Sequence, residues 1–189
     1  MAVSYDVFLP ENISIDVKII SRRATSIIKN LLCLNESFQI ELNFGSSGGE
    51  LSFLMPDDKL IEFIEARYLN AGALVSYGKD PFWRERQKGE AYLLSVLEVP
   101  VEKNSLLLLV CMAIALAIAV EYGDGTFRSD SGVWGDAEEF DYFRIANMAN
   151  REILPLDEAL EEFFKRIVFF QEKYSIHTPR ASSEKAPRR

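Results

Sequence analysis

The sequence is poor in the residues from which most hydrolytic and metal sites are built. It holds one histidine, His177, near its C-terminal end. A Ser-His-Asp triad or a Cys-His pair needs a histidine held against its nucleophile by a folded scaffold. A multi-histidine metal site needs several. All three are excluded within the body of the chain. Two cysteines, Cys33 and Cys111, cannot form a thiolate zinc site. They lie far apart, each in a helical pattern, and read as buried reduced thiols rather than a disulfide. That usage suits a cytosolic protein. An apolar run of membrane-spanning length is also missing. The longest, Leu106 to Val120, has fifteen residues, and a span needs about 18 or more. Met1 to Pro10 places no basic region before an apolar stretch, so no secretory signal is expected.

What the chain does have is that apolar run. It contains no Gly or Pro and is rich in Leu, Met and Ala, which are good helix formers. Asn104 and Ser105 precede it, where a polar side chain can cap the first backbone N–H groups. The spacing predicts a helix over 104–120. A helix apolar on every face must be covered on every face, so it belongs at the centre of a domain. The length of 189 residues and an apolar content of 48% fit one domain with a sizeable core.

Charge is distributed unevenly. The formal net charge is −8, and residues 174–189 carry a net of +3 from Arg180, Lys185, Arg188 and Arg189 against Glu184. Residues 1–173 therefore carry −11. Such a body repels phosphates and is not expected to bind nucleic acid. It suits solubility, and it suits a basic protein partner. The segment 175–189 is rich in Ser, Pro and Arg and is expected to be a disordered basic tail.

The remaining elements follow from periodicity. Val3 to Leu9 alternates as a strand and stops at Pro10. From Ser14 the pattern is double: Ile13, Ile15, Val17 and Ile19 alternate, while Ile20, Ala24, Ile27, Ile28, Leu31 and Leu32 keep helical spacing. A helix over 14–32 is expected, its first part ambiguous with a strand. Strands near 37–44 and 50–55 flank Gly45-Ser46-Ser47-Gly48-Gly49 and predict a hairpin with a five-residue loop. The loop has no Lys-Ser/Thr pair and opens no helix, so it is not read as a nucleotide loop. A helix is expected over 57–70, closed by Ala71-Gly72. A polar loop with Tyr77, Phe82 and Trp83 follows it, then a strand over 90–99. Glu121 to Gly135 reads as a glycine-rich loop with at most short strand pieces. Asp136 and Glu139 resemble a capping box that starts a helix over 136–150. Pro155 fits the first position of a long amphipathic helix over 156–174. The fold expected is α+β: a single domain over 1–174, a mostly antiparallel sheet, and helices packed on it. The helix 104–120 is expected between the sheet and the C-terminal helices.

Chemistry-bearing residues concentrate between Tyr122 and Asp141. Asp124, Asp130, Asp136, Glu138, Glu139 and Asp141 fall within eighteen residues. Paired carboxylates can do acid–base work or hold Mg²⁺ or Ca²⁺, but the spacing from Asp124 does not match an EF-hand loop. Tyr122, Phe127 and Trp134 lie in the same stretch, with Arg128 beside them. Loop aromatics are either plugs at the edge of a core or anchors in protein interfaces. The candidate partner-binding set is thus Tyr122, Asp124, Phe127, Arg128, Asp130, Trp134, Asp136, Glu138, Glu139 and Asp141. No catalytic residue, metal site or cofactor is assigned.

From the central helix onward, the order of elements resembles a known protein class. An Ala/Leu-rich helix runs into the turn Tyr122-Gly123-Asp124-Gly125, then a Trp-bearing loop, then an acidic helix. This resembles small cytosolic α+β immunity proteins of bacterial toxin systems, contact-dependent or type VI secretion. The resemblance covers residues 104–173 and carries over no individual functional residue. It implies a non-enzymatic protein that binds and neutralises a cognate toxin through an acidic surface. The other two readings of the residues are a small carboxylate-based, divalent-metal-dependent enzyme and an adaptor or structural subunit.

Overall fold

The computed structural model describes residues 4–9, 12–35, 42–46, 49–56, 61–66, 72–79, 92–98, 105–129 and 139–175. Its centre is an eight-stranded antiparallel sheet in the order β10-β9-β1-β8-β7-β6-β3-β4. The strands are β1 (Ser4–Leu9), β3 (Leu42–Ser46), β4 (Gly49–Glu50), β6 (Ile61–Ala66), β7 (Gly72–Lys79), β8 (Tyr92–Glu98), β9 (Thr126–Ser129) and β10 (Glu139–Asp141). A two-stranded ribbon joins β2 (Ile15–Asp16) to β5 (Phe53–Leu54). The helices are α1 (Val17–Leu32), α2 (Ser105–Tyr122), α3 (Tyr142–Ala146) and α4 (Leu156–Ser175). The fold is α+β, as the periodicity predicts.

The sheet has one buried face because its central strands alternate with period two. Tyr5, Val7 and Leu9 of β1, Ala73, Val75 and Tyr77 of β7, and Tyr92, Leu94 and Val96 of β8 are all buried. Register aligns them: Tyr5 lies opposite Val96, and Val96 opposite Val75. α2 lies across this face, against β1, β8 and β9. Residues Leu109 to Ala119 are buried without interruption, which matches a helix with no polar stripe. The outer side of α2 is covered mainly by α1, with α4 touching both. This corrects the expectation that the C-terminal helices alone form that layer. The stripe Val17, Ile20, Ala24, Ile27, Ile28, Leu31 and Leu32 supplies the cover. Among the described residues no helix is long and apolar enough to cross a membrane.

The double pattern at 13–20 resolves as both readings in sequence. Ile15 pairs with Leu54 in the ribbon. Asp16 then caps α1, its Oδ1 accepting from Lys18 N at 2.8 Å and Ile19 N at 3.2 Å. At the other end Cys33 takes a left-handed conformation, φ 54°. Leu34 N donates to Lys29 O at 3.0 Å, closing the last turn. Cys33 is half-buried and Cys111 buried, both free thiols.

Five expectations fail. Ile61–Ala66 is a strand, not part of a helix over 57–70, because it is paired on both sides, Phe44 with Ile64 and Ile64 with Ala73. Tyr77 does not lie in a loop but in β7. Its hydroxyl donates to Ile13 O at 2.9 Å and accepts from Ile13 N at 3.2 Å. The glycine-rich hairpin is tighter than predicted, since Ser46 pairs with Gly49. Its outgoing strand is short, and Phe53–Leu54 leaves the main sheet for the ribbon. Of the helix expected over 136–150 the described residues keep only the short α3, Tyr142–Ala146, preceded by a strand. Glu139–Asp141 pairs with β9, and the cap is Asp141, whose Oδ1 accepts from Arg144 N at 2.7 Å. Pro155 is not the first helical residue of α4 but precedes it, its carbonyl accepting from Ala159 N at 2.8 Å. The expected features at 36–41, 80–91, 130–138 and 176–189, including Phe82, Trp83 and the basic tail, lie outside the described residues.

Candidate functional site

The sequence places the candidate site directly after α2, and the turn there is built by two glycines. Gly123 N and Gly125 N both donate to Ala119 O, at 3.0 and 2.9 Å. Gly125 has φ +86°, a region L side chains rarely adopt. A Cβ on Gly123 would stand 3.1 Å from Ala119 O and 3.4 Å from Phe8 O. The turn thus brings the chain from the core helix to the edge of β1, where β9 pairs with it. Asp124 is committed to this turn, its Oδ1 accepting from Thr126 N at 2.9 Å and Thr126 Oγ1 at 2.7 Å.

The other described candidates serve the fold too. Tyr122 is half-buried, and its hydroxyl accepts from Asp16 N at 3.0 Å, tying the end of α2 to the start of α1. Phe127 is only 1% exposed. It stacks on Phe140 with centroids 5.6 Å apart and meets Tyr5 edge-on at 6.0 Å. Phe127 is therefore a core residue and offers no surface to a partner, which corrects its assignment as an anchor. The alternation that buries Phe127 turns Arg128 outward. Arg128 faces Glu139 across the strand pair, donating through Nε at 3.0 Å and Nη2 at 2.5 Å. Its guanidinium also lies over the Phe8 ring, 5.0 Å from the centroid. Asp141 is occupied as the cap of α3. Arg144 donates to Glu139 O at 3.2 Å and sits over the Phe140 ring at 4.9 Å. Asp130, Trp134, Asp136 and Glu138 lie outside the described residues.

The arrangement brings Arg128, Glu139, Asp141 and Arg144 together on β9, β10 and α3. Among the described residues this surface carries both signs of charge. On it stands Phe143, which the expected helix over 136–150 would have placed near the core face with Phe140. Phe143 is 79% exposed and makes an edge contact with Tyr142 at 6.2 Å. A large exposed aromatic is a residue type favoured at the centre of protein interfaces. Its sequence signal is Asp141-Tyr142-Phe143-Arg144, a cap followed by one short turn, in which Phe140 belongs to a strand and Phe143 does not. Among the described residues no group of three His, Cys, Asp or Glu is placed to hold a metal ion.

A second polar concavity lies between the segment after α3 and α4. It is lined by Asn150, Glu152, Leu154, Glu158, Glu161, Glu162, Lys165 and Arg166. Sequence reasoning read the segment over 156–174 only as an amphipathic helix and named no residue of this concavity. The available signal was Glu158, Glu161 and Glu162, which share one helical face by their i, i+3 and i+4 spacing. Comparison with protein-family models, with curated proteins and with solved structures finds no match to this chain.

Proposed function

We propose that this chain is a non-enzymatic binding protein that neutralises a cognate protein toxin in the cytoplasm, an immunity protein. The single observation that supports the reading is Phe143. It is 79% exposed on a short helix whose start is fixed by Asp141 and whose preceding strand is fixed by Phe140 in the core. Exposing so large an apolar ring raises its free energy in water, and covering it with a partner recovers that term. The Arg128–Glu139 pair on β9 and β10, the strand that leads into this helix, adds directional polar groups for a protein surface. The partner in this reading is a protein domain, basic in net charge, and nucleic acid is not a partner.

Expression in a bacterial host together with the toxin-like domain encoded by a neighbouring reading frame tests the reading. The wild-type chain should restore growth, and Phe143→Ala should lose protection while remaining folded. Growth arrest unrelieved by the wild-type chain, with no complex recovered by size exclusion, refutes it. Co-purification of a non-toxin protein complex from the native host would also refute neutralisation as the function.

A further inference from the structure

The carboxylates without structural commitments lie away from β9 and β10, in the concavity of about 420 Å³ between residues 150–154 and α4. Four glutamates line it against two cations, and both cations are engaged. Lys165 Nζ pairs with Glu161 at 2.8 Å. Arg166 Nη1 donates to Ala149 O at 2.6 Å. Glu152 and Glu158 make no ion pair among the described residues. The residue that makes this more than an acidic patch is Asn150. It lines the groove, yet it is only 7% exposed. Its Nδ2 donates to Ala159 O at 2.7 Å and Leu32 O at 3.4 Å, which fixes the orientation of the amide. Its Oδ1 is buried and accepts no hydrogen bond. A buried acceptor left unmade is costly. The lining is therefore rich in acceptors: the buried Asn150 amide oxygen and the carboxylates of Glu152, Glu158 and Glu162.

We propose that this groove receives a lysine or arginine side chain from an extended segment of a protein partner. The inference rests on the binding-protein reading and names the chemistry that the partner presents. Charge selects a cation: the lining carries four carboxylates against two engaged cations. An organic cation fits better than a metal ion, because no three carboxylates converge closely enough to ligate one among the described residues. Shape selects a linear segment. Glu158 and Glu162 are one helical turn apart, a rise of about 6 Å. Alternate side chains of an extended chain repeat at about 6.6 Å, so two successive same-side basic residues can address both. The ammonium or guanidinium brings several donors, enough for a carboxylate and the Asn150 amide oxygen together.

The test is a titration of the full-length, ¹⁵N-labelled chain with an eight-residue capped peptide of alternating Lys and Ser. A peptide with Gln in place of Lys is the control. The Asn150 side-chain amide resonances should move and saturate with the Lys peptide only. Glu152→Gln together with Glu158→Gln should weaken binding about tenfold at an unchanged melting temperature. Asn150 resonances that stay still at about 1 mM peptide, or equal binding by the double variant, overturn the proposal. A further full-length variant replaces Arg180, Lys185, Arg188 and Arg189 with Gln. Asn150 resonances that move in this variant without any peptide would mean that the chain's own basic segment fills the groove, and the partner assignment fails. The peptide is not a toxin, so these outcomes are independent of whether the toxin-neutralisation reading survives.

Discussion

Two phenylalanines sixteen positions apart should behave in opposite ways when cut back to alanine. Phe127 is 1% exposed and packed between Phe140 and Tyr5. Phe127→Ala removes a ring from the junction of α2 and the sheet edge, where neighbours are held by β1, β9 and β10 and cannot easily collapse. Such a truncation costs about 3–5 kcal/mol. For a chain of this size each kcal/mol lowers the melting temperature by about 2–4 °C. Taking about 4 kcal/mol, the expected drop is about 8–16 °C. Phe143 is 79% exposed, and Phe143→Ala should change stability by no more than about 0.5 kcal/mol. Differential scanning calorimetry on the two variants reads the difference directly. If Phe127→Ala melts within about 2 °C of wild type, the stacked cluster is not a core and the β9–β10 pairing is wrong. If Phe143→Ala melts as low as Phe127→Ala, Phe143 is structural and the binding surface loses its anchor.

Other outcomes follow from the same contacts. Ala115→Asp should abolish soluble expression, because Ala115 is fully buried and an unpaired carboxylate there costs more than the usual stability of about 5–15 kcal/mol. Asn150→Ala should lower the urea midpoint by an amount equivalent to about 2–3 kcal/mol. It leaves the Leu32 carbonyl without the amide and takes away the side-chain bond to Ala159 O, and hydrogen exchange in the first turns of α4 should rise with it. Tyr77 should ionise only at alkaline pH above its ordinary value of 10.0, since burial and then the neighbouring Tyr92 push its pKa up. A raised pKa means that its contribution is complete below about pH 10 and is lost as pH rises through the folded value. The phenolate absorbance should therefore appear together with unfolding, and Tyr77→Phe should remove that step from the titration.

Elements whose pattern satisfies only one period were legible in the sequence. The run Leu106 to Val120 admits no surface helix, and α2 is buried from Leu109 to Ala119. α1 and α4 keep a single apolar stripe, β1 alternates up to Val7, and β8 is a strand-length run rich in Leu, Val and Tyr bounded by Pro100. Errors fell where the local pattern favours another element. Ile61-Glu62-Phe63-Ile64-Glu65-Ala66 does not alternate, and Leu60, Phe63, Ile64 and Arg67 share a helical face. The choice was made by β3 and β7, which pair with it from both sides. β7 follows closely and β3 lies further back, so the pairing is a tertiary choice that the pattern of 61–66 alone does not contain. At β7, Ala73, Val75 and Tyr77 alternate with Leu74, Ser76 and Gly78, but the glycines at both ends gave the stretch the look of a loop.

The misplacement of Phe127 and of the helix start within the candidate stretch has a related reason. A capping box at Asp136 and Glu139 is a local signal worth about 1 kcal/mol. Placing Phe140 opposite Phe127 in the core outweighs it, since burying an aromatic ring contributes about 1.5–3 kcal/mol. Once Phe140 is in a strand, the cap moves to Asp141, Phe127 turns inward, and Phe143 is left outside. Part of the acidic density between Tyr122 and Asp141 is then taken up by the fold. Asp124 serves a turn, Glu139 pairs with Arg128, and Asp141 caps a helix. Net charge over a window counts carboxylates without regard to what they already hold. Uncommitted acceptors are what a cation can use, and among the described residues they gather around Asn150, whose role rests on carbonyls of α1 and α4 more than a hundred and nine residues away in sequence respectively.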